Sequence, residues 1–118
     1  MPKEDFIYRF FQLINGRDLD RFEEILKEDA AFYFPKTQPL LGRDRIRRFF
    51  QILFRQYPEL EFRVLKTIIQ DTWAAVHWKN QGKNRQGEPY ENEGVTLLEM
   101  EEERIRYISD FFKDTEKF

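Results

Sequence analysis

Apolar residues follow two different periods along this chain, and the change between them falls near Leu60. Before that point the spacing is helical. Phe6, Ile7, Phe10, Leu13 and Ile14 predict a first helix behind Pro2, and Asn15-Gly16 supplies a stop that tolerates positive φ. Asp18 is a suitable N-cap for a second helix with Leu19, Phe22, Ile25 and Leu26 on one face, ending near Asp29. Residues 30–34 read as a short strand cut off by Pro35, and residues 36–39 as a loop. Gly42 then opens a third helix, with Ile46, Phe49, Phe50, Leu53, Phe54 and Tyr57 as its apolar positions and Pro58 as its end. From Leu60 onward the period is two: Leu60, Phe62 and Val64 alternate with polar residues, and residues 72–81, 90–100 and 105–112 give further strands. Helices followed by an antiparallel meander predict an α+β domain with three N-terminal helices packed on one face of a sheet.

Length and composition narrow this further. A chain of 118 residues supports one core, so residues 1–118 are read as a single domain. Thirteen Phe in a composition that is 17% aromatic make a bulky interior, able to line an apolar cavity as readily as to fill it. The net charge of -2 lacks the basic excess that phosphate backbones demand, so nucleic acid is not an expected partner. No apolar run reaches membrane-spanning length, no signal peptide precedes the first helix and no cysteine occurs, which points to a cytoplasmic protein without membrane contact. One histidine and no cysteine offer no metal constellation, and neither a glycine-rich phosphate loop nor a nucleophile elbow is present. No cofactor is expected.

The chemistry must then come from side chains alone. Asp110 sits among Ile108, Phe111 and Phe112 on the last strand, where burial of its face would raise its pKa toward the range of a working acid or base. A hydrogen-bonded strand-end aspartate is the plain alternative. His77, the single imidazole, suits proton transfer near neutrality. Period two places it with Trp73, Ala75 and Lys79, opposite the more apolar set Ala74, Val76 and Trp78, so its face stays open between core and surface. Asn92 shares a strand face with Tyr90, Gly94 and Thr96, away from the glutamates, and could turn an amide inward; a satisfied structural amide is the alternative. Trp73 and Asn92 are the candidate ligand contacts.

Several short segments taken in order resemble the SnoaL-like branch of the nuclear transport factor 2-like superfamily. They are Asn15-Gly16-Arg17-Asp18, Gly42-Arg43-Asp44, Tyr57-Pro58-Glu59-Leu60, residues 91–95 and Ser109-Asp110-Phe111-Phe112. The resemblance implies a cone-shaped domain of the cystatin-like kind, whose strongly curved sheet wraps a pocket closed by helices and which often dimerises through the sheet. It matches Asp110 to the acid/base aspartate of SnoaL-like cyclases, puts Tyr33 at the pocket rim, where its hydroxyl could polarise a carbonyl, and tilts His77 inward to form a dyad with Asp110. Limonene epoxide hydrolases of the same superfamily carry an Arg and an Asp where a rough alignment here gives Ala75 and His77, so that mechanism is not expected. The resulting expectation is a cofactor-independent cyclase, isomerase or dehydratase acting on an apolar carbonyl compound, with Asp110, His77 and Tyr33 catalytic. A non-catalytic binding or dimerisation module of the same fold is the rival. A homodimer through the exposed sheet face is expected under either reading, because alternating apolar residues on both sides of the sheet leave one side uncovered by helices.

Overall fold

A computed structural model describes residues 3–117, so Pro2 lies outside the described residues. Helix α1 (Lys3–Asn15) leads through a 3-10 turn (Leu19–Glu24) into β1 (Leu26–Tyr33) and the two-residue β2 (Leu40–Leu41). Helix α2 (Arg43–Gln56) follows, then β3 (Glu61–Gln70), β4 (Trp73–Lys83), β5 (Pro89–Glu101), β6 (Arg104–Phe112) and a last 3-10 turn (Thr115–Lys117). One six-stranded sheet has the order β2-β1-β6-β5-β4-β3. It is curved and does not close, and the helices pack on one of its faces. The period-two segments after Leu60 form the meander β3 to β6, each pair antiparallel.

Two elements differ from the sequence pattern. The second helix shrinks to the 3-10 turn because Ile25 and Leu26 join the sheet instead: the Ile25 carbonyl accepts the Ile105 N–H at 2.7 Å, and Leu26 pairs with Ile105. Asp18 makes no side-chain cap and faces Arg21 at 3.6 Å. Helical spacing over four residues is a weak preference, and strand pairing overrides it. The other difference is that β1 runs parallel to β6, with Phe32 opposite Ile108 and Tyr33 opposite Ser109, which makes the sheet mixed.

Burial alternates cleanly along the central strands. Ala74, Val76, Trp78 and Asn80 of β4, with Tyr90, Asn92, Gly94, Thr96, Leu98 and Met100 of β5, form the inner face. The phenylalanines fill the layer above it. Phe50 of α2 stacks on Phe32 of β1 with ring centres 5.4 Å apart, and meets Phe10 of α1 and Phe22 of the 3-10 turn edge-on at 6.1 and 5.8 Å. The end of α1 is tied to the start of β3 by polar groups. Asn15 donates to the Phe62 carbonyl and accepts the Phe62 N–H, both at 2.8 Å, as a neighbouring strand would. Arg17, at φ 60, gives its guanidinium to the carbonyls of Ile14, Pro58 and Leu60 and lies 3.7 Å over the Phe54 ring.

Gly94 sets the closest approach in the interior. A methyl group there would meet the Phe111 carbonyl oxygen at 2.5 Å and the Trp78 ring at 2.8 Å, so the fully buried indole can lie across β5 only because this position lacks a side chain. Gly94→Ala should destabilise the fold by about 1–3 kcal/mol, the usual cost of forcing bulk into a packed core. Urea unfolding followed by Trp fluorescence measures it; an unchanged midpoint would show that the indole has room to move.

Candidate functional site

The Trp78 indole ends in a donor that must find a partner when buried. It finds Thr96: Nε1–H donates to Oγ1 at 2.8 Å. Thr96 in turn donates to Asp110 Oδ1 at 2.6 Å. The sheet register produces this chain directly, since Val76, Thr96 and Asp110 lie side by side on β4, β5 and β6, and Trp78 projects from the same face one step along. Phe62 and Phe112 hold the indole edge-on, at centroid distances of 5.0 and 5.3 Å.

Asp110 therefore faces the interior, with Ile108 and Phe112 as its strand-face neighbours. Part of the residue reaches solvent, but its carboxyl sits among protein atoms. Burial pushes the acid up to about 7, against the opposing pull of the Thr96 hydrogen bond, and neither a cation nor a second carboxylate contributes. Oδ1 is occupied by Thr96. Oδ2 makes no hydrogen bond within the described residues.

The other proposed catalytic groups do not join it. His77 lies on the outer face, its Nε2 2.6 Å from Glu93 Oε2, in the row that runs from Lys66 through Val95 to Phe111. The expected inward turn is thus corrected, and the dyad with Asp110 is not formed. The reason is strand alternation: Ala74, Val76 and Trp78 take the core, so an alignment that points residues 75 and 77 inward selects the wrong face of β4. Tyr33 and Trp73 are also outside. Tyr33, 38% exposed, packs on Tyr107 at 5.3 Å, and Trp73, 37% exposed, meets the same ring edge-on at 5.5 Å. Neither is at an interior rim or beside Asp110. Asn92 does turn inward, but its amide is committed to the C-terminal segment, donating to the Asp114 carbonyl at 2.9 Å and accepting the Glu93 and Asp114 N–H groups. Burial of Tyr90, to which Asn92 also donates at 3.3 Å, raises that phenol above its ordinary value.

Thr96 and Trp78 are the participants that the sequence does not single out. Their link to Asp110 depends on which strands pair and in what register, and no local spacing carries that information. A cleft of about 540 Å³ at the far ends of β3, β4 and β5 is lined by Arg63, Lys79, Glu91, Glu93 and Lys113 among others, and not by Asp110. Among the described residues no three His, Asp or Glu side chains gather as metal ligands, and no helix is long and apolar enough to cross a membrane.

The family model for the SnoaL-like domain matches residues 7–108, ending two residues before Asp110. No curated protein sequence matches the chain. Among solved structures, Bal32a from a soil-derived mobile gene cassette superposes with a TM-score of 0.88 at 17% identity, over 97% of this chain and 91% of its own. An NTF2-like protein of unknown function from Burkholderia pseudomallei K96243 gives 0.87 at 17% identity, over 96% and 91%. IdmH of Streptomyces antibioticus, a candidate polyketide cyclase, gives 0.83 at 17% identity, over 93% and 91%. At such identities the likeness is one of fold.

The raised Asp110 acid has a consequence for stability. The folded state prefers the neutral carboxyl, so this contribution is complete below the ordinary aspartate value, near pH 4, and is lost as pH rises through about 7. Discounted for partial exposure, the loss is on the order of 2 kcal/mol. Asp110→Asn should therefore melt at a higher temperature than the parent at pH 8 and close to it at pH 4. Equal differences at the two pH values in calorimetry would mean that Asp110 is not strained by ionisation.

Proposed function

The chain belongs to the SnoaL-like domain family, and from that premise we propose that it is a cofactor-independent acid/base enzyme of the cyclase, isomerase or dehydratase type. Asp110 is its catalytic residue, and its substrate is an apolar carbonyl compound. The observation that carries this reading is the carboxyl itself: inward-facing, raised to about 7, and without a cation to hold it ionised. A group balanced near the working pH is an effective proton carrier in both directions. As carboxylate, Oδ2 takes a proton from the carbon next to the carbonyl, the C–H electron pair becomes the enolate, and the neutral acid then returns the proton to carbon or oxygen. The surrounding Phe and Trp side chains favour an apolar substrate over a charged one, and the accessible part of Asp110 is the point of contact. Since His77 and Tyr33 lie on the other face, the carboxyl works without either.

Carbon acids exchange with solvent when a base works on them, so the test needs no knowledge of the product. A panel of cyclic and aryl ketones incubated in D₂O with the protein should show deuterium incorporation by NMR for at least one member. Asp110→Asn should lower that rate by about 10²- to 10⁴-fold while the ketone still binds. Exchange that persists in the variant would remove Asp110 from the chemistry.

A homodimer through the outer sheet face is proposed alongside. Ile68 and Phe111, 61% and 57% exposed, share that face with Trp73, Tyr33, Val95 and Leu97, and exposed apolar surface of this kind marks an interface. Light scattering at micromolar concentration should give twice the 14.6 kDa chain mass, and Phe111→Lys should return it to one chain. A parent protein of single-chain mass would refute the dimer.

A further inference from the structure

How Asp110 is held carries a second conclusion, which rests on the reading of that residue as the working acid. An indole N–H can only donate. Trp78 therefore occupies a lone pair of the Thr96 hydroxyl, and the single hydroxyl proton is left for Asp110 Oδ1, 2.6 Å away. The direction of the chain is set from its buried end. A proton placed on Oδ1 would face the Thr96 proton and leave it without an acceptor among the described residues.

We propose that Thr96 and Trp78 are positioning residues: the chain Trp78→Thr96→Asp110 reserves Oδ1 as a permanent acceptor, so that every proton the site exchanges passes through Oδ2. The parts of this arrangement are rigid. Trp78 is fully buried, clamped edge-on by Phe62 and Phe112, and seated over Gly94, so its N–H has one direction available. Thr96 is also buried, and its β-branched side chain is stiff about χ1. The carboxyl plane is thus oriented by contacts that substrate need not supply, which is how a proton carrier is held in a productive geometry.

Two observable effects separate this role from ordinary packing. The Thr96 hydrogen bond favours the carboxylate, in opposition to burial. Its removal must therefore raise the Asp110 midpoint, whereas loss of packing alone does not. Ionisation of Asp110 also strengthens the bond from Thr96, which polarises the Thr96 oxygen as an acceptor for the indole N–H. The Trp78 resonance must then follow a titration that occurs two residues away along the chain.

The experiment follows the Asp110 carboxyl carbon and the indole ¹⁵N–¹H signals by NMR across pH in the full chain. Trp73→Phe leaves Trp78 as the remaining indole, since the chain has two Trp. Three results are expected: the Trp78 signal shifts with the Asp110 midpoint, Thr96→Val moves that midpoint upward and abolishes the indole shift, and Thr96→Ser restores both. An elevated midpoint that Thr96→Val leaves unmoved, or an indole signal that ignores pH, would overturn the positioning role while leaving Asp110 as the acid. An Asp110 midpoint near that of an exposed aspartate would instead overturn the acid/base reading and this inference with it. Should Thr96→Val fail to fold, the indole titration in Trp73→Phe decides the question, with Asp110→Asn as the variant in which it must vanish.

Discussion

The indole of Trp78 lying across Gly94 is the contact on which the rest of the interior is arranged. Because β5 carries no side chain at that point, β4 can send its largest residue over its neighbour rather than up against the helices. The ring then reaches the next row of the sheet, where its N–H meets Thr96, and its two flanks are met by Phe62 from β3 and Phe112 from β6. Four adjacent strands thus share one side chain. A buried donor of this kind is costly unless satisfied, so the presence of a hydroxyl at position 96 follows from the presence of Trp at 78.

The same arrangement explains why Asp110 is tuned by burial and not by charge. A carboxylate beside Arg or Lys is held ionised and makes a poor acid at neutral pH. The cations here are elsewhere: Arg17 is spent on backbone carbonyls near the end of α1, and Lys79 and Lys113 line the cleft at the strand ends with Glu93. What reaches Asp110 is a neutral hydroxyl whose own strength is set by an indole. One face of the sheet handles charge through ion pairs such as Arg106 with Glu99 and through the His77–Glu93 hydrogen bond, and the other holds Asp110 among apolar and aromatic side chains. That division is enforced by nothing more than the alternation of a strand.

Much of this was legible in the residues themselves. The shift from helical to period-two spacing near Leu60 located the meander, and period two grouped Asp110 with Ile108 and Phe112 while the family resemblance turned that face inward. The glutamates of β5 likewise marked its outer face and turned Asn92 inward. What escaped was whatever depends on pairing. Residues 19–26 carry a helical period, yet Leu26 finds Ile105 at the other end of the chain and becomes strand. For His77, the composition of its strand favoured Ala74, Val76 and Trp78 as the core set, as the structure has it, and the alignment had argued for the opposite face. Asn15-Gly16 read as a helix stop, whereas the side chains of Asn15 and Arg17 also tie that stop to β3 and to the residues just before it, because a polar residue's partner more than forty positions away leaves no local trace.

The parallel pairing of β1 with β6 has a consequence for how the chain acquires its structure. Apart from the two-residue β2, the first strand has no neighbour until the last one exists, and its carbonyl and amide groups on that side are satisfied by residues 105–109. A ribosome delivers the chain from its N-terminus, so α1, β1 and α2 emerge with their shared apolar faces formed in sequence but not yet closed over. The meander can assemble hairpin by hairpin, yet the sheet is not complete until its final strand is free of the exit tunnel. Folding of this domain therefore waits on β6, because the strand bearing Asp110 must close β1 onto the meander through a pairing of high sequence separation.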